Sequence, residues 1–216
     1  MENPVFKIII LGEGTAGKTS LLIRYTTNKF PEKYTPTVFD NQVVTQTMDE
    51  GNDRTDGDYD LGLWDLGGGE DYDRLRPLEY RQTDVFLLCF PVDKRHMLQA
   101  LQERWMPEIR HYMPKTPFIV VATKTDLRSK AKESREMDGK SKGEPNEERI
   151  LIQGDEANHL IFAEEGLKKA KSLGAADYVE CSALLGEGVT QVFKVAIKAA
   201  LQFPQIEKKK RKCALL

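Results

Sequence analysis

Seven residues, Val5–Leu11, are apolar apart from Lys7, and they run straight into Gly12-Glu-Gly-Thr-Ala-Gly17-Lys18-Thr19. The octet fits G-x-x-x-x-G-K-[ST], and the residues after it, Lys18–Thr26, have helical character. A buried strand, a glycine-rich loop and a helix in that order constrain the fold more than any other stretch. The glycines let the backbone wrap a polyphosphate with its N–H groups pointing inward, and the positive end of the helix adds to their field. On this reading Gly14, Thr15, Ala16, Gly17 and Ser20 line the phosphates. Lys18 reaches the outer phosphates, and the Thr19 hydroxyl ligates Mg²⁺. The motif implies a nucleoside triphosphate site without naming the base.

The rest of the chain continues the alternation expected of parallel strands joined by helices. Asn41–Met48 and Tyr59–Asp65 read as paired strands, Asp84–Val92 and Pro117–Thr123 as buried strands, and Asp177–Cys181 as a short one. Helical spacing runs through Met97, Leu98, Leu101, Trp105 and Ile109, predicting a helix over Lys94–Tyr112 with a kink at Pro107. Ala163–Leu173 and Gly188–Phe203 read as further helices. The expected class is α/β, with about six strands and five helices. At 216 residues the chain is one domain with extensions, residues 1–203 and a tail at 204–216. No apolar run approaches the ~18–20 residues a membrane span needs, and the start lacks the pattern of a secretory signal. Three cysteines, at 89, 181 and 213, make no disulfide framework and favour a reducing compartment. Cys89 and Cys181, on strands, read as packing residues. His96, His111 and His159 have no metal-ligand spacing.

Two segments break the rhythm. Residues 49–60 hold six acids and one base. A calcium loop needs Gly at its sixth position and Glu at its twelfth. Counted from Asp56 those positions are Leu61 and Gly67, so the segment reads as a solvated hairpin tip. Residues 129–149 carry six basic and six acidic residues and almost nothing apolar, which predicts an exposed excursion.

The base is addressed by Thr123-Lys124-Thr125-Asp126, at the end of an apolar strand. A carboxylate there accepts hydrogen bonds from both N1–H and the exocyclic amine of guanine, a donor pair that adenine lacks. Lys124 packs its stem across the base. Cys181-Ser182-Ala183 supplies a backbone amide for the guanine oxygen.

Tyr34-Thr-Pro-Thr37-Val38-Phe39-Asp40-Asn41 and Asp65-Leu-Gly-Gly68-Gly-Glu-Asp-Tyr-Asp-Arg-Leu75-Arg-Pro-Leu78 complete the set. With them the chain closely resembles the Rho/Rac family of small GTPases over nearly its whole length. The resemblance implies a Ras-like P-loop fold, a mostly parallel six-stranded sheet with one antiparallel strand and helices on both faces. It implies GTP and GDP as ligands and Mg²⁺ as metal. Thr37 would ligate Mg²⁺ and sense the γ-phosphate, Asp65 would hold Mg²⁺ through water, and the Gly68 amide would bond the γ-phosphate. With Lys18, Thr37 and Gly68 would be the catalytic groups. Phe30 would pack against guanine and Tyr34 close over the phosphates. Two loops would then order with GTP and relax on hydrolysis. Val38, Phe39, Asp40, Leu75 and Leu78 would meet effectors, although Leu75 and Leu78 could instead bury. The family's extra insert falls at 129–149, here longer than usual, and the loop at 49–60 is also expanded.

The chain departs from that family at Gly69, where the pattern D-T-A-G-Q-E has the glutamine that orients the attacking water. Losing one preorganised transition-state contact typically costs about 10²–10³ in rate. The expectation is weak intrinsic turnover and poor response to an activating protein, with Glu70 or another group as the alternative for placing the water. Three successive glycines are expected to loosen the second switch. Thr15 and Ala16 replace the usual Ala and Val, and Thr15 is expected to speed nucleotide loss.

The formal net charge of −2 divides into +4 in residues 204–216 and −6 in the rest. An acidic body argues against binding nucleic acid. Lys208-Lys-Lys-Arg-Lys212 precedes Cys213-Ala-Leu-Leu216, a C-a-a-X ending whose final Leu favours geranylgeranylation of Cys213. One lipid with a polybasic patch anchors a protein stably to an anionic leaflet. The alternative is a solvated tail or a nuclear-import signal. The expected site of action is the cytoplasmic face of the plasma membrane or an endomembrane, with a cytosolic pool. Expected partners are effectors, exchange factors and a dissociation inhibitor that binds the prenyl group, around a monomer. Roles in actin organisation, polarity or vesicle traffic rest on resemblance alone. Two readings compete, a slowly cycling switch and a GTP-loaded module that barely hydrolyses. A P-loop kinase or ATPase is opposed by Asp126 and both switch motifs.

Overall fold

The computed structural model describes residues 3–32, 39–49, 51, 55–131 and 160–203, with the Phe39 side chain excluded. Six strands form one sheet: β1 (Val5–Leu11), β2 (Phe39–Met48), β3 (Gly57–Leu66), β4 (Val85–Pro91), β5 (Phe118–Thr123) and β6 (Asp177–Glu180). Their order is β2-β3-β1-β4-β5-β6. Only the β2–β3 pair is antiparallel, running from Phe39 opposite Leu66 to Met48 opposite Gly57. Every residue of β4 and β5 is buried, as expected of parallel strands covered on both faces.

Five α-helices with defined bounds cover the sheet: α1 (Lys18–Thr27), α2 (Arg95–Ala100), α3 (Met106–Tyr112), α4 (Ala163–Leu173) and α5 (Val189–Gln202). A further helical turn occupies 126–131. One layer of core joins Ile8, Ile10 and Leu87 of the sheet to Leu21 of α1 and Phe193 of α5. Tyr25 and Phe193 stack there at 3.8 Å between ring centroids. The opposite layer joins Ile9, Phe86 and Val120 to Trp105, Ile109 and Ala170. The α/β class is thus the one the alternation predicts, and the helices lie on both faces as the resemblance implies. Apolar positions on α5 recur as Val192, Phe193, Ala196, Ile197 and Ala200, one buried stripe of an amphipathic helix.

The helix expected over Lys94–Tyr112 is interrupted ahead of the expected kink at Pro107. A π-helical turn, Leu101–Trp105, separates α2 from α3, which begins at Met106. Pro107 is the physical reason. It has no N–H to return to the carbonyl four residues back, and its ring crowds that carbonyl. A widened turn just ahead of it relieves the conflict.

Between β3 and β4 two short 3₁₀ turns, Glu70–Tyr72 and Arg76–Tyr80, carry the second switch segment. Of the expanded acidic segment, Asp58 and Asp60 accept hydrogen bonds from the Thr47 and Thr45 hydroxyls at 2.7 Å across the ladder. Most of 129–149, together with 204–216 and its Cys213, lies outside the described residues.

Candidate nucleotide site

The phosphate loop leaves β1 at the carboxyl end of the sheet, between β3 and β4. Gly17 has φ +84°, left-handed backbone where glycine costs least, and it sits 3.4 Å, measured from an added Cβ, from the Thr123 hydroxyl. It is the residue before α1, and no side chain caps that helix, nor does an acid occupy its first turn. The first N–H groups of α1 therefore remain available to an anion. Thr123 Oγ1 donates to Ala16 O at 2.6 Å and so ties the loop to β5.

Lys18 is buried, its Nζ donating to Gly12 O at 2.8 Å and Glu13 O at 2.9 Å inside the loop. Burial lowers its pKa, against the opposing pull of Asp65. A buried ammonium whose hydrogen bonds go to backbone carbonyls still has positive charge to offer an anion. The Thr19 hydroxyl donates to Asp65 Oδ2 at 2.5 Å, bringing two hard oxygen donors together. That donor set fits Mg²⁺, which takes one or two protein oxygens and completes its shell with phosphate and water.

Around these residues lies a cavity of about 340 Å³, walled by Gly14, Thr15 and Lys18 on one side and by Leu66, Gly67 and Gly68 on the other. A second, of about 130 Å³, continues from it past Phe30 and Lys124 to Asp126, Ala183 and Leu184. Gly17, Ser20, Phe30 and Lys124 line both. The two form one elongated cleft, with a cation at one end and a carboxylate at the other. Asp126 is buried and accepts from the Ser182 hydroxyl at 2.6 Å, which fixes its carboxylate plane. Ser182 Oγ in turn accepts from the Leu185 amide at 3.1 Å. Glu180, just before this loop, receives a bidentate pair from Arg128 at 2.7 and 3.0 Å. Phe30 is 41% exposed, an aromatic edge left open beside the base end.

The sequence-predicted residues of the phosphate loop, Asp65, Gly68, Thr123, Lys124, Asp126, Ser182 and Ala183 thus gather around one cleft. Tyr34, Thr37 and Val38 lie outside the described residues. Asp40 is exposed on β2, and Leu75 and Leu78 are 49% and 68% exposed, so the alternative that they bury is not what the fold shows. Cys89 and Cys181 are buried, and burial pushes the Cys181 thiol up to about 12 and raises Cys89 as well.

The three glycines of the second switch differ. A Cβ added to Gly68 would come under 3.0 Å from Gly12 O, Glu13 C and Gly14 N, so only glycine permits this approach to the phosphate loop. A Cβ added to Gly69 would meet nothing nearer than the Tyr72 ring at 3.7 Å, and its φ of −69° suits any residue. Gly67 O accepts from Arg76 Nη1 at 2.8 Å.

Sequence reasoning missed the set of charges behind this segment. Arg76 is fully buried, paired with Asp73 and with Glu108 at 3.0 Å, and lies over the Trp105 ring. Burial would lower its pKa, but the Glu108 hydrogen bond and charge outweigh that and raise it. Arg104 and Trp105 both reach Glu13 of the phosphate loop. No local pattern announces contacts over such separations.

A model of the Ras family matches residues 7–202, a span that takes in β1 from Lys7 on, every residue of the cleft and all of α5. The chain belongs to the Ras family. It is a small GTPase, a GTP-binding switch protein, and the family's ligands, GTP or GDP with Mg²⁺, are those for which the cleft has the groups. Family members also work through exchange factors and effectors. Among the described residues of this Ras-family chain no helix is long and apolar enough to cross a membrane.

Proposed function

We propose that the chain is a Rho-type switch with weak intrinsic hydrolysis, tethered through a prenylated Cys213 to the cytoplasmic face of a membrane. The Rho assignment is supported by Tyr34–Asn41, by Glu70–Leu78 and by the position of the 129–149 insert. The tether is supported by the basic run and the Cys-Ala-Leu-Leu ending. Residues 1–203 form the GTPase domain, and the tail is separate. Exchange factors load it, effectors meet Val38, Phe39, Asp40, Leu75 and Leu78, and a dissociation inhibitor binding the lipid supports a cytosolic pool. The Rho reading extends to actin organisation, polarity or membrane traffic.

The residues divide the work. Lys18 and the N-terminal amides of α1 bind the phosphates, Thr19 and Thr37 would hold the metal, and Asp65 would orient its water. Bound Mg²⁺ neutralises charge on the β- and γ-phosphates. Asp126, held by Ser182, selects guanine, while Lys124 and Phe30 enclose the ring. The Gly68 amide reads the γ-phosphate. Gly69 carries the prediction of slow turnover, because it leaves the water without a side chain to orient it.

The observation favouring that point is the open space at Gly69, which no steric need reserves for glycine. Single-turnover hydrolysis of preloaded GTP, compared with Gly69→Gln, tests it. A nearly inert parent and at least a tenfold gain in the variant are expected. Such an outcome would favour the second reading, a persistently GTP-loaded effector-binding module. An ordinary small-GTPase rate in the parent would show that Glu70 or another group places the water.

A further inference from the structure

The phosphate loop and the second switch are the two walls of the phosphate cavity, and one side chain from a third element touches both. Arg104, on the π turn, donates from Nη1 to both oxygens of Glu13 at 2.9 and 3.0 Å, and from Nη2 to Asp73 Oδ1 at 2.7 Å. Its neighbour Trp105 adds an indole N–H to Glu13 Oε1 at 3.1 Å, and the Arg104 guanidinium lies 4.9 Å from the Trp105 ring centroid. Consecutive residues of a regular α-helix point in different directions. Here the π turn lets both converge on one carboxylate.

Each carboxylate leads inward. Glu13 O accepts from Lys18 Nζ, so the residue holding Arg104 by its side chain holds the phosphate-binding ammonium by its backbone. Asp73 also pairs with Arg76, whose Nη1 fixes Gly67 O at the start of the glycine run. Glu13 occupies a variable position of the phosphate motif, so the motif itself does not require its carboxylate.

We propose that Arg104 is a positioning residue for nucleotide retention: it clamps the phosphate loop to the second switch and holds the phosphate side of the cleft closed. The inference rests on the nucleotide reading. Charge-assisted hydrogen bonds are the strong class, and a planar guanidinium reaches carboxylates on two elements from two separate nitrogens, where an ammonium donates from one. The clamp offsets the freedom that Gly67, Gly68 and Gly69 give the switch. Since Arg104 and Glu13 are each 23% exposed, the clamp weakens as salt rises.

The test is release of a fluorescent GDP analogue from the full chain in excess Mg²⁺, with melting temperature followed in parallel. Arg104→Ala is expected to release five- to twentyfold faster, and Arg104→Lys to fall between the two. Glu13→Gln alone should speed release several-fold, yet less than twofold when added to Arg104→Ala, because both remove the same link. A purely structural role would lower melting temperature without this coupling. Release from Arg104→Ala within twofold of the parent overturns the inference, as does full multiplication of the two single effects. Failure of the parent to retain GDP at all overturns the nucleotide reading and this inference together.

Discussion

The two ends of the cleft are built from opposite materials. At the base end a buried carboxylate is fixed by neutral donors: the Ser182 hydroxyl to Asp126, and the Leu185 amide to Ser182. At the phosphate end three glycines stand between β3 and Glu70, flanked by two guanidiniums: Arg76 donates to Gly67 O, and Arg104 pairs with Asp73. The first arrangement costs little reorganisation when ligand arrives, which suits discrimination between bases. The second can let go at the Arg104–Asp73 pair, because charged pairs at a partly exposed surface exchange readily with water.

The comparison breaks most visibly at Asp126. Asp126→Ala is expected to lower GDP affinity by about 10²–10⁴, since two hydrogen bonds to a charged group are lost at about 1.5–3 kcal/mol each. ADP affinity should barely move. Competition binding with both nucleotides checks this, and a parallel loss of ADP would show that the carboxylate serves the loop rather than the base.

Next come the adjacent glycines. Gly68→Ala must push the switch off Gly12–Gly14, and it is expected to weaken a non-hydrolysable GTP analogue by about ten- to a hundredfold relative to GDP. Gly69→Ala, with open space around it, should stay within twofold. Equal effects at the two positions would remove the distinction drawn between them.

A smaller effect sharpens the base end. Burial would raise the Glu180 pKa, but hydrogen bonds from Arg128 and Tyr178 outweigh it and hold the carboxyl below its ordinary 4.5. A depressed carboxylate contributes stability that is complete above that ordinary value and lost as pH falls through the folded one. Glu180→Gln should therefore cost about 1 kcal/mol at neutral pH. The gap in melting temperature from the parent should close in acid below about pH 4.5. A pH-independent gap would assign the loss to packing. The smallest change is expected at Thr15, a non-glycine residue at φ +64°. Thr15→Gly should relieve up to about 1 kcal/mol of left-handed strain, partly cancelled by glycine's greater unfolded freedom. Calorimetry of the GDP-loaded protein checks the sign.

Legibility followed contiguity. The phosphate loop is one uninterrupted run with a chemical reason for each residue, and Asp126 sits at a strand end where its role can be read. Val5–Leu11 and Ala163–Leu173 emerge with the bounds the sequence implies, because apolar patterning and a closing Gly174 are local signals. The π turn was not legible, since Pro107 announces a disturbance but not the form its relief takes. Nor was the Glu13–Arg104 pair, 91 positions apart, because only the folded sheet brings the helix over the loop. Gly69 reads from sequence as a missing glutamine. Only coordinates show that the space beside it is vacant while the space beside Gly68 is filled.

Helix α5 has a mechanical consequence. It begins beside the base-recognition loop, where a Cβ on Gly188 would crowd Glu180 and Cys181, and it runs for 14 residues, about 21 Å, back across the sheet. Its last turn therefore lies toward the other end of the sheet from the base-recognition loop. Any force or attachment acting on the chain after Phe203 is delivered to that end. An attachment made there would leave the cleft at the other end, open to nucleotide and to partners.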